Sequence, residues 1–383
     1  MKREKGREYM KFILSGGGTG GHVNPALAIG AAIEKNFKDA EIHYVGTPFG
    51  IENKLVPEKY PMHHVNIKGL KRSLSFSNIK TAYLTVTSFF AAKKLLKELW
   101  PDGVVGTGGY VCFPVCAAAA SLGIPCFLHE SNAVPGFAVK MLEKKADVIF
   151  VNFEKTAEKL GNAKKVVHVG TPVKDVFYTL GKQEAKKQLG VSDYNRIVLS
   201  FGGSLGAAAV NGRILDLMEN YGKEHPETLF LHATGARGRA GFEEEFQKRG
   251  LSSFENLRFY EYIYDMPTYM AAADLVICRS GAMTLSELAV MGKASILIPS
   301  PNVTDDQQTK NARLLSDKGA AVLIQETELT EGTLEKAVSR LLLDDNALAE
   351  MEKRVEGFAV KDVEQGIVSE MKRVIEEKKR GRR

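Results

Sequence analysis

The stretch Met10–Pro25, MKFILSGGGTGGHVNP, constrains this chain more than any other. Phe12, Ile13 and Leu14 make an apolar run that reads as a buried strand, and five of the six residues from Gly16 to Gly21 are glycine. His22 follows, and a helix is expected after Asn24, with Pro25 at its first position, where a missing N–H is harmless. Glycines let the backbone approach an oxyanion closely, and the free N–H groups and dipole of a helix start favour negative charge. The stretch is therefore expected to hold a phosphate, a pyrophosphate, or an acceptor that carries one. Gly16, Gly18 and Gly21 also satisfy G-x-G-x-x-G, but a dinucleotide site puts an acidic residue at the end of the second strand. Here that strand, Ile42 to Val45, ends in Gly46-Thr47, and Glu41 stands at its wrong end. A plain turn without a ligand is the other alternative, and it rarely needs five glycines.

The same grammar recurs along the chain. Strand Gly103–Val105 runs into a second glycine turn, Gly106 to Pro114, and an alanine-rich helix. Strand Cys126–Leu128 is expected to end before His129-Glu130-Ser131-Asn132, placing polar groups at the strand end where open α/β sheets bind ligands. Strands at Val148–Val151 and Val166–Val169 complete a first half, and Gly170–Lys174 reads as a crossing between domains. The pattern then restarts: strand Ile197–Phe201 meets the turn Gly202–Ala208, and further strand–helix pairs follow. Strands alternating with helices imply an α/β protein with mostly parallel sheets covered on both faces. Two strand–glycine–helix units suggest two Rossmann-like domains facing each other across a ligand cleft.

Length and composition set bounds. A chain of 383 residues suggests roughly two to three domains, and 44% hydrophobic residues can fill real cores. Four cysteines without a C-x-x-C indicate neither a zinc site nor a disulfide framework. The net charge of +6 is crowded at the ends (Lys2, Arg3, Lys5 and Arg7; Lys378, Lys379, Arg380, Arg382 and Arg383), as solvated tails or as contacts to an anionic membrane or nucleic acid. The short apolar run after the basic start ends in glycine, unlike a signal peptide, and no run is long enough to span a membrane. The segment Ser77–Trp100, with Phe76 just before it, carries Ile79, Tyr83, Leu84, Phe89 and Phe90, with Lys80 as its one charge before Lys93. It is either a core helix or, bracketed by bases, a membrane-facing patch.

Neither G-x-x-x-x-G-K-[ST] nor D-x-D occurs. If a nucleoside diphosphate leaves in this chemistry, dipoles and side chains must stabilise it in place of a metal. The turn Gly202–Ala207 with Ser204, the helix start Arg279–Gly281 and Arg279 itself are the candidates.

The ordered motifs GGGTGGH, GTGGYV, HESN, GGSLGA, RSGAMTLSE and DDQQ resemble the cell-wall N-acetylglucosaminyltransferases of glycosyltransferase family 28, from residue 11 almost to the chain's end. The resemblance implies a GT-B fold and transfer of N-acetylglucosamine, with inversion, from UDP-GlcNAc to the C4 hydroxyl of undecaprenyl-pyrophosphoryl-muramoylpentapeptide (lipid I). It implies no cofactor, no essential metal and no nucleic acid. It also implies peripheral attachment to the anionic cytoplasmic face of a bacterial membrane, and leaves room for other cell-wall enzymes as partners. The implied organisation is a basic tail over 1–9, an acceptor and membrane domain over 10–172, a UDP-GlcNAc domain over 173–358, and a helix near 359–378 packing back on the first domain.

Carried over by motif, Ser204 and its turn take phosphate, and the backbone of Ile263 meets uracil. Ala282, Met283, Thr284, Leu285, Ser286 and Glu287 lie along the nucleotide sugar, with the Glu287 carboxylate on the ribose hydroxyls. Gln307, Gln308 and Asn132 suit the sugar ring, and Thr19, Gly20 and Gly21 face the acceptor pyrophosphate. Two departures stand out. Ser131 replaces a common glutamine, and Lys174 replaces a common arginine, so its nucleotide contact loses the bidentate fork. The implied reaction needs a proton acceptor for the attacking hydroxyl. His22 is the candidate, kept neutral near a helix start, with a positioning hydrogen bond as the alternative role. Glu130 and His129 are rivals. A lipid glycosyltransferase with another acceptor, a UDP-GlcNAc 2-epimerase and a non-catalytic nucleotide-sugar binder remain open.

Overall fold

The computed structural model describes residues 9–69 and 77–381, with side chains at 77–82 excepted. The chain divides into two compact units, residues 1–172 with 360–383, and residues 173–359. The basic residues before Tyr9, Lys71, Arg72, Phe76 and the side chains of Ile79 and Lys80 lie outside the described residues.

The first unit alternates strands and helices: β1 (Lys11–Ser15), α1 (Gly20–Asn36), β2 (Glu41–Gly46), α2 (Glu52–Leu55), β3 (Met62–His64), α3 (Ser77–Leu99) and β4 (Gly103–Gly106). It continues through α4 (Cys112–Ser121), β5 (Cys126–Glu130), α5 (Phe137–Leu142), β6 (Val148–Val151), α6 (Glu154–Ala157) and β7 (Val166–His168). Every described strand pairing is parallel, in the order β3-β2-β1-β4-β5-β6-β7. Parallel strands buried on both faces need apolar residues on both, and β1 shows this. Phe12 and Leu14 pack with Val23, Ile29 and Ile33 of α1, while Ile13 packs with Leu96 of α3 and Val115 of α4.

The second unit holds α7 (Val176–Thr179), α8 (Lys182–Gln188), β8 (Arg196–Phe201), α9 (Ala208–Leu217), β9 (Thr228–Ala233), α10 (Arg239–Lys248), β10 (Leu257–Tyr260) and α11 (Met266–Ala272). After these come β11 (Leu275–Cys278), α12 (Ala282–Met291), β12 (Ser295–Leu297), α13 (Gln307–Ser316), β13 (Val322–Leu323), α14 (Thr333–Leu342) and α15 (Asp345–Glu356). Its sheet is again parallel, in the order β10-β9-β8-β11-β12-β13. The last helix, α16 (Val363–Arg380), belongs to the first unit and buries Val363, Ile367, Met371 and Val374 in the α1-side core.

In each sheet the strand order reverses beside the unit's first strand, between β1 and β4 and between β8 and β11. A crevice opens at the carboxyl ends of strands at such a point, which makes it the natural ligand site.

Three local expectations need correction. α1 starts at Gly20 and not after Asn24, so Pro25 lies inside the helix. The extended residue Thr19 (φ −146°, ψ 156°) precedes the helix, and its carbonyl already accepts from the N–H groups of His22 and Val23. β5 runs through His129 and Glu130, because Glu130 still pairs in register with Val151. The run His63–Ile67, which the sequence suggests as one strand, carries β3 only as far as His64.

Candidate active site

At the first switch point the turn after β1 meets the turn after β4. The Thr107 hydroxyl donates to the His22 carbonyl (2.6 Å), and the Tyr44 hydroxyl donates to the Gly16 carbonyl (2.6 Å). Contact is close enough to demand glycine. Gly109 (φ +77°) would put a Cβ 2.2 Å from the Gly17 carbonyl oxygen. Gly18, Thr19 and Gly21 are exposed and Gly20 is half-buried.

His22 sits in the first turn of α1, half-buried. Its Nδ1 lies 3.1 Å from the Gly17 carbonyl oxygen and 3.2 Å from the Thr19 hydroxyl. A carbonyl oxygen only accepts, so Nδ1 carries the proton and Nε2 keeps its lone pair. No protein group hydrogen-bonds Nε2 among the described residues. Burial lowers the pKa of the ring, against a smaller rise from the Gly17 hydrogen bond, so the imidazole is neutral at pH 7.

The rivals are committed elsewhere. His129 is fully buried, donates from Nε2 to the Gly170 carbonyl (2.9 Å) and has its Nδ1 3.3 Å from the Ser131 hydroxyl. Burial pushes its pKa down to about 4. Burial raises the pKa of Glu130, whose Oε1 accepts from the backbone N–H and Nδ2 of Asn132 and whose Oε2 accepts from the Gly136 N–H. Three donors from its own loop fill this carboxylate, which shapes the loop carrying Asn132. In the same loop the Thr156 hydroxyl donates to the Asn132 carbonyl (3.1 Å).

Sequence reasoning missed Glu52. It is buried on α2 and accepts from the N–H (2.8 Å) and hydroxyl (2.9 Å) of Thr47 and from the N–H of Gly18 (3.2 Å). Burial opposes ionisation, but these donors win and the carboxyl titrates below its usual range. Its signal in the sequence is the flanking pair Gly46 and Gly50, where any Cβ would collide with the Glu52 side chain at 2.6 and 2.1 Å.

In the second unit the turn after β8 packs backbone on backbone. A Cβ at Gly206 (φ +82°) would stand 2.1 Å from the Thr234 carbonyl oxygen. This holds Ser204 and Leu205 out in solvent just before α9. Ile263 is buried between the exposed Tyr262 and Tyr264 beyond β10. α12 turns Ala282 and Leu285 into the core, and leaves Met283, Thr284, Ser286 and Glu287 half-buried on the outer side. The Leu285 side chain is therefore a core element, as helical periodicity demands once Leu288 is buried too. Burial pushes the Glu287 carboxyl up to about 7, partly offset by the nearby Lys174 ammonium. Lys174 thus faces the carboxylate expected to hold the ribose.

Arg279 differs from expectation. Its guanidinium donates to the carbonyls of Ile298 (3.1 Å) and Pro299 (2.9 Å) and pairs with Glu326. It is a strut between strand ends. Gln308 caps the same corner, accepting from the Ser300 N–H (2.8 Å), while its carbonyl accepts from the Ser280 hydroxyl. Gln307 begins α13 directly after Asp305 and Asp306, both left-handed (φ +60° and +50°), a strained entry of the sort found at ligand sites. Among the described residues no group of three or more His, Cys, Asp or Glu side chains could hold a metal ion.

Residues 12–151 match the glycosyltransferase family 28 N-terminal domain and residues 197–367 the family's C-terminal domain. A protein of Ruminiclostridium cellulolyticum is 39% identical over 96% of this chain and 100% of its own length. It is named UDP-N-acetylglucosamine–N-acetylmuramyl-(pentapeptide) pyrophosphoryl-undecaprenol N-acetylglucosamine transferase. The crystal structure of Acinetobacter baumannii MurG superposes with a TM-score of 0.77 at 30% identity, covering 95% of this chain and 99% of that one. A UDP-GlcNAc 2-epimerase from Neisseria meningitidis, at 14% identity and a TM-score of 0.64 over 94% of this chain and 99% of its own, shares the fold alone. Two parallel nucleotide-fold sheets with glycine turns at their switch points are those of a GT-B protein. The chain belongs to glycosyltransferase family 28.

Proposed function

We propose that this protein transfers N-acetylglucosamine from UDP-GlcNAc to the C4 hydroxyl of the muramoyl-pentapeptide of undecaprenyl-pyrophosphoryl lipid I, giving lipid II for peptidoglycan. The observation that carries this reading is the 39% identity along the whole length of a relative named for that transfer. In the reaction the acceptor oxygen attacks the anomeric carbon from the face opposite UDP. The C1–O bond to the diphosphate breaks as the new glycosidic bond forms, inverting the centre. His22 Nε2 takes the hydroxyl proton, a role supported by its unprotonated, unoccupied state. The glycine turn after β1 receives the acceptor pyrophosphate.

The second unit binds the donor. Glu287 accepts from the ribose hydroxyls beside Lys174, Ser204 and its turn meet the diphosphate, and Gln307 and Gln308 meet the sugar. The N–H groups at the starts of α9 and α12 stabilise the departing UDP. The protein works at the cytoplasmic membrane face, through the outer face of α3. There Tyr83, Val86 and Phe90 are exposed (67%, 55% and 62%), one turn apart, and Lys93, Lys94 and Lys97 follow. No described helix is long and apolar enough to cross a membrane. Incubation with labelled UDP-GlcNAc and lipid I should yield labelled lipid II. Label appearing instead in diacylglycerol, or as free epimerised sugar nucleotide, would overturn the assignment.

A further inference from the structure

One peptide plane links two side chains that no motif connects. The peptide joining Gly17 to Gly18 offers its carbonyl to His22 Nδ1–H at 3.1 Å, and its N–H to Glu52 Oε2 at 3.2 Å. Its orientation is therefore held from both ends. The glycines around it leave space for the carboxylate: a Cβ at Gly17 would stand 2.8 Å from Glu52 Oε1, and one at Gly50 would stand 2.1 Å from both oxygens. Thr47 fixes the carboxylate in turn, through its N–H and its hydroxyl.

We propose that Glu52 is a positioning residue for the transfer, acting through the Gly17–Gly18 peptide to keep His22 in the tautomer that leaves Nε2 free to accept a proton. A carboxylate accepting from the N–H end of an amide draws electron density toward its carbonyl oxygen, which becomes a stronger acceptor. The stronger Gly17 acceptor favours the proton on Nδ1. Aspartate does this directly for the histidine of hydrolytic triads; here the backbone carries the effect across one peptide. Glu52 touches no reacting atom.

The inference rests on His22 as proton acceptor, so its test must read the tautomer without turnover. Nitrogen NMR of ring-labelled His22 in the resting protein should show Nε2 unprotonated and Nδ1 protonated. In Glu52→Gln, which replaces the acceptor oxygens by an amide, the two tautomers should mix. Turnover should fall about 10–100-fold, by analogy with the loss when the outer partner of a metal-bound histidine is removed. The KM for UDP-GlcNAc should hold, and the acid limb of the kcat profile should move to lower pH, because a negative charge that favoured the imidazolium is gone. Thr47→Val, which removes only the hydroxyl donor to Oε1, should shift the tautomer in the same direction by less, and decides the matter if Glu52→Gln does not fold. A brace with no further role would lower stability and turnover while leaving the tautomer pure; that result in a folded variant overturns the inference. Tautomer mixing together with an unimpaired His22→Ala enzyme would uphold the positioning and remove His22 as the proton acceptor.

Discussion

Gly108 packs against the ring of His22, so close that a Cβ there would stand 2.7 Å from Cδ2 and 3.1 Å from Nε2. The turn after β4 thus walls one side of the His22 ring. Gly108 also has a φ of +106°, which an L side chain rarely adopts. Gly108→Ala should therefore combine backbone strain of about 1–3 kcal/mol with a displaced imidazole. The expected result is a folded protein of lowered melting temperature, with UDP affinity intact by calorimetry and kcat reduced at least tenfold, on the order expected from a small misplacement of a reacting group. Wild-type kcat in this variant would mean that the ring position is unimportant.

His22 itself should matter for chemistry more than for binding. His22→Ala is expected to lose on the order of 10²–10⁴ in kcat with donor KM nearly unchanged, the usual contribution of general base catalysis. The active form is neutral, and burial depresses the ring pKa below the usual 6.5. Activity should then hold as pH falls through 6.5 and decline only below it. A kcat profile with its acid midpoint above 6.5 contradicts this ionisation.

Glu287 gives an opposite dependence. Its carboxyl is raised to about 7, so it is half-protonated at neutral pH in the free protein. The ionised form accepts from two ribose hydroxyls, and UDP affinity should tighten as pH rises through about 7. Glu287→Gln should remove that dependence, and Glu287→Ala should weaken UDP by about 1.5–3 kcal/mol. The stability sign is the reverse. Between the unfolded value near 4.5 and the folded value near 7 the native state binds the extra proton, so this group's contribution to stability falls as pH rises through that window. Melting scans of Glu287→Gln at pH 8 should accordingly show no loss against wild type. Unaltered UDP binding by a folded Glu287→Ala protein would refute the ribose contact.

Membrane attachment is expected to depend on α3. Tyr83, Val86 and Phe90 can each contribute up to about 1.5–3 kcal/mol when fully buried in lipid. Lys93, Lys94 and Lys97 add about 1 kcal/mol each near anionic lipid. Replacing the three apolar residues by Ser should reduce sedimentation with phosphatidylglycerol vesicles, while turnover of a short-chain, water-soluble acceptor survives. Vesicle binding equal to wild type would remove α3 from the docking surface.

Much of this was legible in the sequence because parallel strands have a strong local signature. Thr228–Ala233, Leu257–Tyr260 and Leu275–Cys278 are short apolar runs with polar borders, and the structure places strands at those residues. The glycine turns were legible because few other sequences allow such close backbone contacts. What escaped depends on distance in sequence. Arg279 reads as an anion ligand from its place before a helix start, while its partners Glu326 and the strand-end carbonyls come from other elements. The partners of Glu52 at Gly18 and Thr47 belong to different turns, so its function has no local pattern. Pro25 misled because a proline near a helix start suggests the first turn, whereas Thr19 had already started the helix.

The return of α16 to the first unit makes the order of synthesis matter. Residues 173–359 must leave the ribosome before Val363, Ile367 and Met371 can cover the face formed by Phe12, Ile29 and Ile33. At about 5–20 residues per second that interval is on the order of tens of seconds. During it the nascent first unit exposes a greasy flank to water, while the second unit, continuous in sequence, can already be complete. Truncation just before α16 should therefore harm the half of the protein made first, and holdase chaperones should find their foothold there.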